Sequence, residues 1–277
     1  GLFDEHIEEV IQLVKDCGGL MYGDGANLNA LLGIVRPGDL GFDVMHFNLH
    51  KTFAVPHGGG GPGSGPVGVS QRLLDFLPEP LVGILEEGDS EMAPLFGFVK
   101  PPQSIGRMKA FHGHFGGGLV RAYTYIAMHG PDGLKDIAQY AVLNANYLLA
   151  RLRNIYKVPF DRICMHEFVA EGQFEGSDVR ALDIAKRLMD YDFHPPTNYF
   201  PLIVHEALMI EPTETENKDT LDAFADALIK IAEEAKSQPE LLHKAPHNTP
   251  FGRMDEVKAA RELVLCCWLP ENYNENA

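Results

Sequence analysis

Two short polar segments, each at the end of an apolar run, carry residue types from which a reactive site can be built. They are Asp24-Gly25-Ala26-Asn27 and Asn48-Leu49-His50-Lys51-Thr52. We interpret each apolar run as a buried strand, so that Asp24 and Lys51 come at the ends of neighbouring strands. Lys51 follows Asp24 by 27 residues, which leaves room for a loop and a returning strand over 42–49. We therefore expect a carboxylate and an amine to lie close together.

This pair of groups suits a cofactor that has an aldehyde and a basic ring nitrogen. The amine of Lys51 can form a Schiff base with an aldehyde, which is how pyridoxal phosphate is held before an amino-acid substrate displaces the lysine. A carboxylate such as Asp24, facing the ring nitrogen, keeps the pyridinium protonated, so that the ring can accept electrons from a bond breaking at Cα. Ala26 is small enough to lie flat against the ring. The sequence therefore predicts a pyridoxal-phosphate site.

The segments that carry these residues resemble a known enzyme family. They are DGANLNA, RPGD, NLHKTF and HGGGGPGSGP, and the likeness continues through EGSDVRALDIAKRLMDYDFHPPTNYFPLIVHEALMIEPTETE and HKAPHNTPFGRMDEVKAARELVL. All are similar to the pyridoxal-phosphate subunit of glycine decarboxylase, the P-protein of the glycine cleavage system, in its split bacterial form as subunit 2. The resemblance covers nearly the whole chain.

The resemblance implies an α/β, fold-type I, aminotransferase-like architecture, in which part of the large domain is followed by a smaller C-terminal α+β domain. It implies that Lys51 is the Schiff-base lysine, that Asp24 is the partner of the ring nitrogen, and that His50 lies against the cofactor. We expect Lys51 and His50 to be catalytic, with Ala26 and Asn48 completing the cofactor-binding set. It also implies that an N-terminal portion of the large domain is absent from this chain, including much of the phosphate site.

The activity that the resemblance implies is decarboxylation of glycine, with transfer of the aminomethyl group to the lipoyl arm of the H-protein. The implied partners are glycine, the lipoylated H-protein, a companion subunit 1 and further copies in an oligomer. One alternative is another fold-type I pyridoxal-phosphate enzyme, either an amino-acid decarboxylase or an aminotransferase. A second alternative is a non-catalytic fragment that serves as a binding or assembly module.

Composition excludes several other classes of protein. The 277 residues carry a formal charge of −16, which argues against binding to a nucleic-acid backbone. The sequence contains neither an apolar run of about 18 residues nor a secretory signal pattern, so we expect a cytoplasmic protein. The four cysteines show no spacing typical of metal sites or disulfide frameworks; they are Cys17, Cys164, Cys266 and Cys267.

Two further motifs have weaker interpretations. His112-Gly113-His114 offers two metal ligands without a third at suitable spacing, so we expect no metal site. The glycine run over 57–66 lacks the Gly-Lys-Ser/Thr ending of a nucleotide P-loop, and we expect it to pack near the cofactor or near a dimer-related copy. Three arginines are candidates for binding a substrate carboxylate, and the sequence does not choose among them; they are Arg107, Arg121 and Arg253.

Hydrophobic periodicity predicts the remaining elements and a domain boundary. In the first part it predicts a helix over 3–14, a short strand over 20–23 that ends in Asp24, a strand over 67–69, an irregular segment over 82–109, and helices over 119–129 and 136–156. Pro159 closes the last helix, so we place two domains at 1–158 and 159–277. In the second part we expect strands over 164–170, 199–204 and 207–210, helices over 179–189 and 221–236, an exposed acidic turn over 211–216, and a packed element over 263–269.

Overall fold

The computed structural model describes residues 2–58, 63–89, 92–108 and 115–265. The histidines His112 and His114, the cysteines Cys266 and Cys267, and residues 59–62 of the glycine run lie outside these ranges. The chain divides into two compact units. The first comprises residues 1–147, 162–168 and 211–217, and the second comprises residues 148–161, 169–210 and 218–277.

The first unit contains a three-stranded sheet in the order β1-β2-β3. Strands β1 (Tyr22–Gly25) and β2 (Val44–Phe47) are parallel, and β3 (Val67–Val69) is antiparallel to β2. The predicted pair of neighbouring strands is therefore confirmed. Strand β2 is shorter than the predicted range of 42–49 because the chain turns into a helix at Leu49.

Three helices flank the strands of this sheet. Helix α1 (Ile7–Asp16) has acidic residues in its first turn, which the helix dipole favours, and is followed by Gly18 at a φ of 74°. Between β1 and β2 the chain forms a single helical turn, α2 (Pro37–Leu40), with proline at its first position. Helix α3 (Leu49–Thr52) begins directly after β2 and carries Lys51.

The segment predicted to be irregular over 82–109 instead contains an antiparallel hairpin, so that prediction was wrong. Its strands are β4 (Leu81–Glu86) and β5 (Leu95–Val99), and Gly83 pairs with Gly97. Apolar side chains on this hairpin stay exposed, for example Val82 and Phe98. Because the two strands do not alternate apolar with polar residues, the pattern that indicates a half-buried strand is missing.

Helix α4 (Val120–Leu152) contains both of the helices predicted between 119 and 156, and it ends four residues earlier than expected. It is interrupted at Gly130, whose φ of 62° and ψ of −176° are not helical, and Pro131 follows. Glycine adopts such a conformation without steric cost. The predicted apolar face is confirmed, since its four residues are all buried; they are Ile137, Ala141, Leu148 and Leu152.

The second unit combines a small sheet with helices of 9 and 20 residues. The sheet has the order β6-β8-β7, formed by β6 (Phe168–Glu171), β7 (Thr197–Asn198) and β8 (Ala207–Ile210). The helices are α5 (Ala181–Met189) and α6 (Lys218–Ser237), close to the predicted ranges. Two shorter helices follow, α7 (Pro239–His243) and α8 (Glu256–Arg261).

Two predictions for the second half were wrong in the described residues. The strand expected over 199–204 is a series of turns, because Tyr199 has a φ of 61° and ends the extended run. The element expected over 263–269 has no regular structure over 263–265, and its remainder lies outside the described ranges. Within those ranges, no helix has the length and apolar character needed to cross a bilayer.

Candidate functional site

The parallel pairing of β1 and β2 brings the predicted acid and amine to one edge of the sheet. Asp24 is the third residue of β1, and Lys51 lies in the helical turn that follows β2. Two hydrogen bonds join these segments: the Asn48 N–H donates to the Ala26 carbonyl at 3.3 Å, and the Leu28 N–H donates to Thr52 Oγ1 at 2.9 Å. The structure thus gathers the predicted site residues around two linked turns.

A small apolar cluster fixes the turn that carries Lys51. Leu49 and Phe53 are buried with Val55 and Ala122, and Thr52 is buried beside them. Lys51 lies on the opposite, exposed side of the same turn. The exposed Lys51 is therefore carried by a turn whose other side is packed against buried residues.

Asp24 is held by two groups on the same carboxylate oxygen. Its Oδ1 accepts a hydrogen bond from the Ala26 N–H at 3.2 Å, and His46 Nε2 lies 3.3 Å from the same oxygen. The Tyr22 hydroxyl lies 2.6 Å from His46 Nδ1. When that hydroxyl donates to Nδ1, the imidazole proton is on Nε2 and points at Asp24. Within the described residues both contacts fall on Oδ1, so Oδ2 can accept a hydrogen bond from a ligand.

The contact between His46 and Asp24 was not predicted from the sequence. A signal was present, because His46 is the one polar residue in the strand Val44–Phe47. In the register of the parallel pair His46 lies opposite Asp24. A register prediction for the two strands would therefore have found this contact.

His50 is oriented by the end of the glycine run, and its surroundings favour the neutral imidazole. Desolvation lowers the pKa of His50 below its ordinary value, and the charges of His57 and Lys51 act in the same direction. Its Nδ1 accepts a hydrogen bond from the Ser64 N–H at 3.2 Å, which places the ring proton on Nε2. A Cβ on Gly63 would approach Nδ1 to 3.0 Å, so glycine permits this close approach of the loop.

The groups at this edge fit pyridoxal phosphate by their chemistry. Lys51 supplies an amine for an aldehyde, and Asp24 supplies a carboxylate oxygen for a ring nitrogen. Asn48 and Ala26 meet through the main-chain hydrogen bond between the two turns. His50 offers an N–H donor at Nε2 beside them.

The three candidate arginines have different surroundings. Arg121 donates from Nε to the carbonyl of Ala54 at 2.5 Å, three residues after Lys51. Arg253 donates to Asp183 Oδ1 at 2.6 Å within the second unit. Arg107 is exposed and forms an isolated strand bridge with Glu79. Of the three, Arg121 contacts the segment that carries Lys51.

A cluster that the sequence analysis missed lies in the first unit. Nε2 of His166 is 3.8 Å from a carboxylate oxygen of Glu167 and 3.9 Å from Oε1 of Glu211. One ligand atom from each residue lies within 4.8 Å of the others, a spacing at which they could hold a metal ion. However, Oε1 of Glu211 already accepts hydrogen bonds from the side-chain amides of Asn27 and Asn29. A cation bound at Oε1 would share that oxygen with these two N–H groups.

His166 makes the stability of the folded chain depend on pH. Burial lowers its pKa from 6.5 to about 4, although the Glu211 carboxylate acts in the opposite direction. At a pH between the folded-state pKa and 6.5, the imidazole is protonated in the unfolded chain but not in the folded chain. The free energy of unfolding is therefore expected to decrease as the pH is lowered below about 6.5.

Urea unfolding of the wild type and of His166→Gln across this pH range tests that expectation. The variant lacks the titrating imidazole, so its stability should depend less steeply on pH. His205→Gln is the matched control because His205 is exposed. Equal pH dependence in the wild type and His166→Gln would contradict the assignment.

Comparison with known families and sequences identifies relatives of this chain. Residues 137–248 match a family model described as glycine dehydrogenase, C-terminal domain. The chain is 62% identical over 266 residues to a probable glycine dehydrogenase (decarboxylating) subunit 2 of Caldanaerobacter subterraneus subsp. tengcongensis, covering 96% of this chain and 53% of that protein. A relative of the same name from Chlorobaculum tepidum is 58% identical over 269 residues, covering 96% and 55%. The chain spans about half the length of these curated relatives.

Comparison with solved structures identifies the fold. Glycine decarboxylase (P-protein) of the glycine cleavage system, in an inhibitor-bound form, matches with a TM-score of 0.66 and 21% identity over 81% of this chain and 51% of that chain. A cysteine desulfurase from Thermococcus onnurineus NA1 matches with a TM-score of 0.59 and 16% identity over 84% and 57%. The predicted α/β, fold-type I architecture is confirmed.

Proposed function

We propose that this chain is part of a glycine dehydrogenase (decarboxylating) subunit 2, to which it is similar over 96% of its length, and that the whole protein uses pyridoxal phosphate to decarboxylate glycine. The observation that supports the proposal is the pairing of Asp24 and Lys51 at one sheet edge, on turns joined by the Asn48–Ala26 hydrogen bond. The aminomethyl group that remains passes to the lipoyl arm of the H-protein. Each of these activities belongs to the whole protein.

Each site residue has a proposed role in this reaction. Pyridoxal phosphate, when bound, supplies a ring that accepts the electron pair released at the substrate's Cα. Lys51 would hold the cofactor through its side-chain amine, the group that can bond to an aldehyde. Asp24 would offer Oδ2 to the ring nitrogen of the cofactor, where its negative charge would favour the protonated ring. His46 holds the other carboxylate oxygen and so limits rotation of the Asp24 side chain.

The remaining residues orient the cofactor and hold the turn that carries Lys51. His50 presents an N–H donor at Nε2, because the Ser64 N–H occupies Nδ1. Ala26 presents a small side chain to the ring face, and Asn48 fixes the backbone between the two turns. This turn is held in place by the buried cluster of Leu49, Phe53, Val55 and Ala122.

The partners follow from the family and are part of the proposal. The names of the relatives contain the words subunit 2, which supports a companion subunit. We propose that this subunit completes the enzyme, that the complex is oligomeric and cytoplasmic, and that the lipoylated H-protein is its second substrate.

Asp24→Asn in the full-length protein, assayed with its companion subunit, tests the proposed function. The variant keeps the size of the side chain and removes its charge, so the ring nitrogen loses the group that keeps it protonated. We expect exchange of labelled bicarbonate into the glycine carboxyl group to fall by about 100-fold or more. Glycine should also perturb the cofactor's absorbance more strongly than other amino acids do.

Asp39→Asn provides the matched control, because Asp39 is an exposed carboxylate that pairs with Arg36 in α2. It should retain the wild-type exchange rate. Full exchange in Asp24→Asn would contradict the role of Asp24. A stronger spectral response to another amino acid would favour another fold-type I decarboxylase or an aminotransferase.

A further inference from the structure

The segment that carries Asp24 is held from a second side by a residue far away in sequence. Oε1 of Glu211 accepts hydrogen bonds from Asn27 Nδ2 at 2.6 Å and from Asn29 Nδ2 at 3.0 Å. Asn27 Oδ1 in turn accepts the backbone N–H of Asn29 at 2.9 Å. One carboxylate oxygen therefore joins both side-chain amides, and the Asn27 side chain also binds the backbone of Asn29.

These contacts are strong because the acceptor is charged. Hydrogen bonds to a carboxylate are shorter than those between neutral groups and about twice as strong. Asn29 is buried, with 6% of its surface exposed. Removing its acceptor would leave a buried amide without a partner, which is costly.

The position of Glu211 is itself fixed by helix α4. The side-chain amide of Asn144 donates to the carbonyls of Thr213 and Glu216, at 2.9 Å and 3.2 Å. Asn144 is largely buried, with 9% of its surface exposed. The turn over 211–216 is therefore held to a long helix rather than being free at the surface.

The charge of Glu211 is used by the two asparagine side chains and not by a protonated histidine. The ring nitrogens of His166 are buried and have no hydrogen-bond partner among the described residues. Because burial keeps this imidazole neutral, it supplies no positive charge to Glu211. The two amides of Asn27 and Asn29 are the groups that meet Oε1 within hydrogen-bond distance.

We propose that Glu211 is a positioning residue for Asp24. It binds Asn27 and Asn29, while the Lys51 turn binds Ala26 and Leu28, so the segment after β1 is held from two sides. Asp24 Oδ1 accepts the N–H of Ala26, the residue next to Asn27, so a shift of this segment moves the carboxylate away from the ring nitrogen. This role rests on the proposed function, in which Asp24 faces the cofactor.

The test uses the full-length protein and two independent readouts. The first is amide hydrogen exchange over residues 24–29 in the absence of cofactor. The second is the affinity for pyridoxal phosphate, titrated by absorbance. For Glu211→Leu, which removes the acceptor, we expect exchange over 24–29 to accelerate by about tenfold or more and the affinity to fall by about tenfold. Glu211→Gln retains an oxygen acceptor and should restore most of both properties.

Control variants separate positioning from general destabilisation. Glu216→Leu removes a carboxylate from the same turn and should change neither readout, since the backbone carbonyl of Glu216 makes the contact with Asn144. If Glu211→Leu does not fold, Asn27→Leu decides, because Asn27 is only partly buried and the substitution breaks the shorter bond from the other side.

Failure of the role proposed for Glu211 and failure of the proposed function would give different results. Glu211→Leu, or a folded Asn27→Leu, could show the wild-type rate of amide hydrogen exchange over 24–29 and the wild-type affinity for pyridoxal phosphate. That result would overturn the role of Glu211 and leave the proposed function intact. Equal effects from Glu216→Leu would overturn that role as well. If the wild-type protein binds no pyridoxal phosphate, the proposed function fails, and hydrogen exchange alone then reports whether Glu211 holds the segment.

Discussion

Replacing Lys51 with alanine in the full-length protein is expected to abolish the reaction and the absorbance of lysine-bound cofactor. Lys51 is the one lysine in the stretch over 20–65 that forms the site. Loss of a group that bonds covalently to the reacting system commonly costs three or more orders of magnitude in rate. We therefore expect exchange of bicarbonate with glycine to fall by at least about 1,000-fold.

Two further variants separate covalent attachment from charge. Lys51→Arg keeps a positive charge, but its guanidinium does not form a Schiff base with an aldehyde. It should therefore be as inactive as the alanine variant. Lys15→Ala removes an exposed lysine from α1 and should retain full activity. Exchange above about one tenth of the wild-type rate in Lys51→Ala would contradict a catalytic role for this residue.

Glu234→Ala is expected to produce the largest loss of stability among single substitutions of charged residues in the second unit. Arg187 donates to both carboxylate oxygens of Glu234, at 2.9 Å and 3.0 Å, and the Tyr191 hydroxyl donates to Oε1 at 2.8 Å. The side chains of Arg187 and Glu234 are 14% and 10% exposed. Removing Glu234 leaves the Arg187 guanidinium paired only with Asp190, whose Oδ2 lies 3.0 Å from Nη1, so we expect a loss at the lower end of the range for breaking a buried ion pair, about 3 kcal/mol. Urea unfolding measures the loss.

The control for this substitution is an exposed ion pair. Lys244 and Glu240 lie 3.7 Å apart with side chains 73% and 76% exposed, and such pairs contribute about 0–1 kcal/mol. Glu240→Ala should therefore change the free energy of unfolding little. If Glu234→Ala were no more destabilising than Glu240→Ala, the buried pair would not contribute to stability as expected.

Sequence patterns predicted the part of the site that depends on local structure. Asp24 and Lys51 each follow an apolar run, so their placement at strand ends could be predicted, and the parallel pairing then brings them together. The interruption of α4 between its two predicted helices is also local, since Gly130 and Pro131 are adjacent. In each of these cases the sequence feature that determines the structure spans only a few residues.

The contacts that were missed depend on tertiary structure. Glu211 lies 184 residues from Asn27, and the acidic residues around Glu211 indicate a solvated turn when read alone. The contact between His46 and Asp24 requires the register of two strands, which hydrophobic periodicity does not give. The hairpin β4–β5 was not predicted either, because its strands do not alternate apolar with polar residues.

The hydrogen bond between Asn48 and Ala26 has a consequence for how this site tolerates sequence change. Both of its atoms belong to the main chain, so any residue other than proline at position 48, and any residue at position 26, can in principle form it. Substitutions at positions 48 and 26 should therefore leave the distance between the turn after Asp24 and the turn that carries Lys51 unchanged. The bond from Leu28 depends instead on the Thr52 hydroxyl, and an engineer who redesigns the turn has to retain a hydroxyl there.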